Sequence, residues 1–63
     1  MGRVEIAVGD NGMVTFWLDN PGKLNALNET MLATLTEGIR HHGAQAACRL
    51  IVIRGRNGTF CAS

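Results

Sequence analysis

The loop that contains Lys23 carries the residues best suited to contact a ligand. It follows a strand-like apolar pattern and opens with Asn20-Pro21-Gly22. Gly22 permits a positive φ, and the flexible ammonium of Lys23 is able to reach a phosphate group. Asn25 is able to fix the loop by hydrogen bonds from its side chain to the backbone. Lys23 is therefore a candidate phosphate contact, and the alternative is a solvated lysine beside a purely structural Asn25.

Other catalytic signals in the sequence are weak. It has no paired carboxylates at a useful spacing, no Gly-rich phosphate loop with a lysine, and no G-x-S-x-G elbow. His41 and His42 are the two histidines of the sequence, but adjacent helical residues point about 100° apart. We therefore do not expect them to converge on one metal or substrate. A solvated helix end, where the dipole favours cations, is the simpler interpretation.

Composition and charge argue against several classes of protein. The net charge is +1 over 63 residues, and the basic residues are spread among acids, so we expect no nucleic acid partner. The longest apolar run, 50–53, is far shorter than a membrane span, and the first residues do not read as a signal peptide. Cys48 and Cys61 suit neither a disulfide framework nor a zinc site, and we expect reduced thiols in a cytoplasmic protein.

Three segments have the hydrophobic pattern of strands. Apolar residues alternate over 4–8 and 14–18, and the turn-forming residues 9–12 lie between them, which predicts a β-hairpin. The unbroken apolar run over 50–53 is typical of a strand that is covered on both faces, as in a parallel sheet.

The segment after the Lys23 loop has the pattern of a helix. Asn28 is suited to the N-cap, and the helix is predicted over 29–42 with Gly43 as its stop. Four residues at helical spacing are predicted to form its apolar face: Met31, Leu32, Leu35 and Ile39.

Together these elements predict an α/β fold. The helix joins the second and third strands in a right-handed parallel crossover, and the hairpin adds an antiparallel first strand. A three-stranded sheet with one helix leaves a face bare, so Trp17, Ile51 and Ile53 lack a partner layer. We therefore expect residues 1–63 to be the N-terminal portion of a single, incomplete domain, in which 50–53 is anomalously exposed.

Two segments of the chain carry specific motifs. The first is Asn20-Pro21-Gly22-Lys23-Leu24-Asn25-Ala26-Leu27-Asn28, and the second is Val52-Ile53-Arg54-Gly55 followed by Gly58-Thr59-Phe60-Cys61-Ala62. Both resemble the crotonase superfamily, the enoyl-CoA hydratase/isomerase family, whose patterns are N/R-P-x-K-x-N-A-L and V-L-T-G … F-C-A-G-x-D. The motifs also occur in the family order, separated by one helix and one strand. The resemblance covers residues 4–63 and implies the N-terminal part of a crotonase-like ββα spiral.

The resemblance implies a coenzyme A site along both segments. It assigns contacts with the coenzyme A part of a thioester substrate to six residues, Lys23, Leu24, Ala26, Cys61, Ala62 and Ser63. It also implies an oxyanion hole, in which a backbone N–H stabilises the enolate oxygen of the thioester. Ser63 stands at the family's glycine position, so the donor is the residue that follows it. If the backbone there needs a positive φ, serine is strained, and a different conformation or a register shifted by one stays open.

The resemblance leaves the reaction open, since members of the family hydrate, isomerise, dehalogenate, decarboxylate or hydrolyse their substrates, and the activity we expect among these is that of an enoyl-CoA hydratase or isomerase of fatty acid metabolism. Such an enzyme acts on acyl-CoA thioesters, has no covalently bound cofactor, and assembles as a homo-trimer or hexamer. The alternative is a crotonase-like binding or structural module without turnover. We expect residues 1–63 alone to be inactive, because one oxyanion donor and every carboxylate suited to general acid–base catalysis are missing.

Overall fold

Three strands and one helix account for the regular structure of the described residues. The computed structural model describes residues 2–23 and 25–58. The elements are β1 (Arg3–Val8), β2 (Met13–Asp19), α1 (Glu29–Gly43) and β3 (Leu50–Gly55). The strand order is β1-β2-β3, with β1 antiparallel and β3 parallel to β2. The predicted α/β fold, the hairpin and the parallel third strand are therefore confirmed.

The turn between β1 and β2 closes by backbone and side-chain hydrogen bonds. The Gly9 N–H donates to the Met13 carbonyl at 2.8 Å, and the Met13 N–H donates to the Asn11 Oδ1 at 3.2 Å. Gly12 has a φ of 85°, a conformation that glycine adopts without strain. Its carbonyl also accepts the Arg49 N–H at 2.8 Å, which extends the pairing of β2 with β3.

The strand register sorts the side chains onto two faces of the sheet. Ile6 lies opposite Phe16, and Phe16 lies beside Ile53, so these residues share the face that α1 covers. Because successive side chains of a strand alternate, Trp17 points to the other face, with Arg54 beside it. The residues predicted to lack a partner layer therefore divide between the faces, Ile51 and Ile53 on the helix side and Trp17 on the open side.

The core lies between α1 and the hairpin. Its buried apolar residues are Val14, Phe16, Leu18 and Met31. Gly38 lets the helix approach closely, since a Cβ at that position would lie 2.5 Å from the Phe16 Cε2. Phe16 is therefore the central contact between helix and sheet.

Both predicted ends of α1 are close to the observed ones. The Asn28 side chain accepts the Met31 N–H at 2.8 Å, which confirms the predicted N-cap. The helix extends one residue beyond the predicted end and includes Gly43, and the C-cap is Ala44 with a φ of −84°. Gly43 therefore ends the helix without a left-handed cap. In the described part of the chain, no helix has the length and apolar character needed to cross a membrane.

The buried face of α1 differs from the predicted one at one position. Met31 is buried, and Leu35 and Ile39 are half-buried, as expected. Leu32 is 53% exposed, so its predicted place in the core is wrong. The reason is that α1 contacts β1 and β2 through the side of the helix that contains Gly38. Leu32 lies at the edge of that contact surface and not within it.

The third strand has little cover in this chain. Leu50 and Ile53 are exposed, and no residue of β3 is buried. Because α1 packs mainly against β1 and β2, it covers the apolar run of β3 only in part, where the end of the helix approaches Ile51. Ile51 and Val52 are half-buried, so the expected exposure of residues 50–53 holds for Leu50 and Ile53 and not for the whole run.

Candidate functional site

The loop between β2 and α1 is built from two consecutive turns. We call residues 20–26 the Lys23 loop, of which Leu24 lies outside the described residues. In the first turn the Lys23 N–H donates to the Asn20 carbonyl at 3.1 Å, with Gly22 at a φ of 79°. In the second the Ala26 N–H donates to the Lys23 carbonyl at 3.0 Å, with Asn25 at a φ of 59°. Glycine and asparagine stand at the two left-handed positions, where they are best tolerated.

Two buried asparagines hold the Lys23 loop together. The Asn20 N–H donates to the Asn25 Oδ1 at 2.9 Å, and the Asn20 Nδ2 donates to the Ala26 carbonyl at 2.7 Å. Both side chains are almost inaccessible to solvent, so water does not compete for these bonds. The prediction that Asn25 fixes the loop by bonds to the backbone is confirmed, and Asn20 is a second such residue that the sequence did not single out.

Asn25 also joins the two segments that carry the sequence motifs. Its Nδ2 donates to the Arg56 carbonyl at 2.6 Å, across 31 positions of sequence. The Arg56 N–H in turn donates to the Leu18 carbonyl at 2.9 Å, next to the end of β2. The Lys23 loop and the segment after β3 therefore meet at the carboxyl ends of two parallel strands, where α/β proteins commonly bind ligands.

A surface cleft lies beside the Lys23 loop. Its volume is about 370 Å³, and its lining residues are Gly2, Asn20, Pro21, Lys23, Ala26, Leu27 and Asn28. Lys23 is exposed, and its ammonium has no ion pair or hydrogen bond with any of the described residues. The cleft therefore offers a positive charge to an anionic ligand on a loop whose backbone is already fixed.

Of the other predicted site residues, the structure describes Ala26. Its N–H donates to the Lys23 carbonyl, and its own carbonyl accepts from Asn20. A backbone contact from Ala26 to a ligand is therefore left to the second lone pair of its carbonyl. Leu24, Cys61, Ala62 and Ser63 lie outside the described residues.

The two histidines at the end of α1 differ in their surroundings. Their ring centroids are 4.9 Å apart in an edge contact, and the His41 Nε2 lies 3.1 Å from the Gln45 Nε2. His42 is half-buried against Phe16, with ring centroids 6.1 Å apart, so a solvated helix end describes only His41. Among the residues that the structure describes, no three His, Cys, Asp or Glu side chains gather as a metal site would require.

A stack around Trp17 supports the segment after β3 from the open face of the sheet. The guanidinium carbons of Arg54 and Arg56 lie 4.9 and 4.5 Å from the centre of the Trp17 ring. Arg56 is also paired with Glu5, at 2.6 Å between Nη2 and Oε1. The sequence carried a signal for this stack, since Arg54 and Arg56 are two positions apart along the strand direction and side chains at that spacing point to the same face of a sheet. The stack holds the residue whose carbonyl receives the Asn25 bond.

The chain is similar in sequence and fold to known proteins. The family model for enoyl-CoA hydratase/isomerase matches residues 13–63. A solved member of the enoyl-CoA hydratase/isomerase family is 31% identical, with a TM-score of 0.88 over 98% of this chain. An enoyl-CoA hydratase from Mycobacterium avium is 29% identical, with a TM-score of 0.83 over 94% of the chain. An enoyl-CoA hydratase/isomerase from Xanthobacter autotrophicus Py2, at 22% identity and a TM-score of 0.87 over 95%, supports the fold alone.

The similarity to solved structures and to the family model identifies both the fold and the family of this chain. The described residues form the α/β unit with which crotonase-type structures begin their fold. The chain belongs to the enoyl-CoA hydratase/isomerase family. It spans about a quarter of the length of its solved relatives, covering 23%, 25% and 22% of the three chains. No curated protein sequence matches it.

Proposed function

We propose that the whole protein binds an acyl-CoA thioester and that the Lys23 loop contacts its coenzyme A part. The observation that carries this proposal is the exposed ammonium of Lys23, which has no ion pair among the described residues and stands on a loop held by two buried asparagines. Coenzyme A bears several phosphate charges, and a lysine on a flexible stem binds phosphate as a point charge. Because the loop is already ordered, little conformational entropy is lost when the ligand binds.

The proposed reaction is that of an enoyl-CoA hydratase or isomerase. In hydration, water adds across a double bond conjugated to the thioester, and negative charge develops on the thioester oxygen. Backbone N–H donors aimed at that oxygen lower the barrier. We assign the first of these donors to the residue that follows Ser63, in the stretch that continues from the segment tied to Asn25, and we assign contacts with the coenzyme A part to Cys61, Ala62 and Ser63. The general acid and base come from other parts of the whole protein, which we propose is a cytoplasmic homo-trimer or hexamer.

The test is turnover and binding with the whole protein. Loss of the conjugated double bond of crotonyl-CoA, followed by its ultraviolet absorbance, measures hydration, and calorimetry with free coenzyme A measures binding. We expect both, with no turnover by residues 1–63 alone. Binding without turnover of any enoyl-CoA would favour the non-catalytic module. If neither thioesters nor coenzyme A bind, the proposed function is wrong.

A further inference from the structure

The bond between Asn25 and Arg56 is not needed to form the Lys23 loop. Both turns of the loop are closed by backbone hydrogen bonds, from the Lys23 N–H and from the Ala26 N–H. The positive φ of Asn25 is one that glycine adopts at least as easily. Besides accepting the Asn20 N–H within the loop, the Asn25 side chain adds a link between the loop and a segment 31 residues away.

We propose that Asn25 is a positioning residue, which sets the distance between the coenzyme A contact and the segment that leads to the oxyanion donors. This inference rests on the proposed function. The Asn25 side chain accepts from the Asn20 N–H on one side and donates to the Arg56 carbonyl on the other. One rigid amide, buried to 98%, therefore fixes both segments relative to each other.

The position requires an amide and not a carboxylate. The Arg56 carbonyl is an acceptor and needs the N–H₂ donor of Asn25, whereas the Asn20 N–H needs its oxygen. An aspartate has the same shape but presents two acceptors when ionised, so its second oxygen would face the Arg56 carbonyl without a proton between them. Asn25→Asp therefore breaks the link to Arg56 and keeps the bond within the loop.

A second asparagine provides a matched control. Asn57 has nearly the same backbone conformation, with a φ of 61°, but it is exposed and its side chain makes no hydrogen bond with the described residues. Asn57→Gly and Asn25→Gly thus remove an asparagine from equivalent backbone geometry in the two connected segments. Asn25→Gly also retains the positive φ that the second turn of the Lys23 loop requires. It therefore serves as the second variant if Asn25→Asp folds poorly.

The experiment measures kcat and KM for crotonyl-CoA with the whole protein, at a temperature where circular dichroism shows each variant to be folded. Loss of one buried hydrogen bond corresponds to about a tenfold effect on an equilibrium. We expect Asn25→Asp and Asn25→Gly to raise KM and lower kcat, with kcat/KM reduced by about tenfold or more, and Asn57→Gly to match the wild type. A residue that only stabilises the fold would leave kcat of the folded protein unchanged.

The outcomes separate this inference from the proposed function. If the wild type is active and the Asn25 variants equal Asn57→Gly in both constants, the positioning role is refuted and the proposed function stands. If KM alone rises, Asn25 shapes only the Lys23 loop, and the link to the second segment has no role in turnover. If the wild type neither binds nor converts the thioester, the proposed function fails and the inference fails with it.

Discussion

The two turns that flank β2 use the same residue types for different purposes. The turn of residues 9–12 has Gly12 at a φ of 85° and Asn11 beside it, and the Lys23 loop has Gly22 at 79° and Asn25 at 59°. Asn11 is exposed, and within the described part of the chain its side chain bonds only to the N–H two residues further on. Asn25 is buried and bonds across 31 positions. Residue type alone therefore does not separate a local turn from a link between segments.

The space around Gly12 also differs from the space around Gly22. A Cβ on Gly12 would lie 2.7 Å from the Ala47 carbonyl oxygen, whereas a Cβ on Gly22 would meet nothing within 4 Å. The end of the turn at Gly12 is therefore packed against the segment after α1, whereas the Lys23 loop is open to solvent at Gly22. An open tip on a fixed loop is what a ligand site needs, and a packed turn serves the fold.

The largest expected effect is the loss of stability when Gly12 or Gly22 is replaced by alanine. Gly12→Ala should lower the free energy of unfolding by about 2–4 kcal/mol, because left-handed strain adds to a clash with a backbone oxygen that has little room to move. Gly22→Ala should cost only the strain, about 1–2 kcal/mol. Urea unfolding of the whole protein measures both.

Replacing Gly12 and Gly22 by asparagine separates the strain of a positive φ from the clash of an added side chain. Asn tolerates a positive φ, so Gly22→Asn should recover most of the stability lost in Gly22→Ala, while Gly12→Asn should stay destabilised by its clash. Equal losses for Gly12→Ala and Gly22→Ala would show that the packing difference between the two turns has no energetic weight.

The sequence predicted the elements well because their signals are local. Alternation gave the hairpin, and Asn28 at the N-cap gave the start of α1, since each pattern reflects neighbours within a few residues. The exposure of Leu32 was missed because it depends on where the helix lies across the sheet. The bond from Asn25 to Arg56 was missed for the same reason, as the parallel register of β2 and β3 brings the two segments together.

A smaller effect is expected from removing the charge at the open loop. Lys23→Ala should raise KM for acyl-CoA thioesters about fivefold, corresponding to about 1 kcal/mol, and leave kcat nearly unchanged, because a contact with the remote nucleotide contributes mostly uniform binding. Arg49→Ala is the matched control, since Arg49 is an exposed cation near the other turn and its side chain has no ion pair among the described residues. An unchanged KM for Lys23→Ala would place this lysine in solvent.

The smallest effect is expected at Asn11. Asn11→Ala removes one exposed hydrogen bond to Met13, so the free energy of unfolding should fall by less than about 1 kcal/mol, and binding of coenzyme A should not change. Urea unfolding and calorimetry on the same preparation measure the two quantities. A loss of coenzyme A affinity in this variant would mean that the turn of residues 9–12 also belongs to the binding site.

The most direct test of the central claim is amide hydrogen exchange of the whole protein with and without coenzyme A. Binding at the Lys23 loop should slow exchange in the peptide covering residues 20–28 and in the peptide that contains Arg56, because both segments meet at the site. The peptide covering residues 9–13 should exchange at the same rate in both states. Protection confined to other parts of the protein, with residues 20–28 unchanged at saturating coenzyme A, would contradict the account.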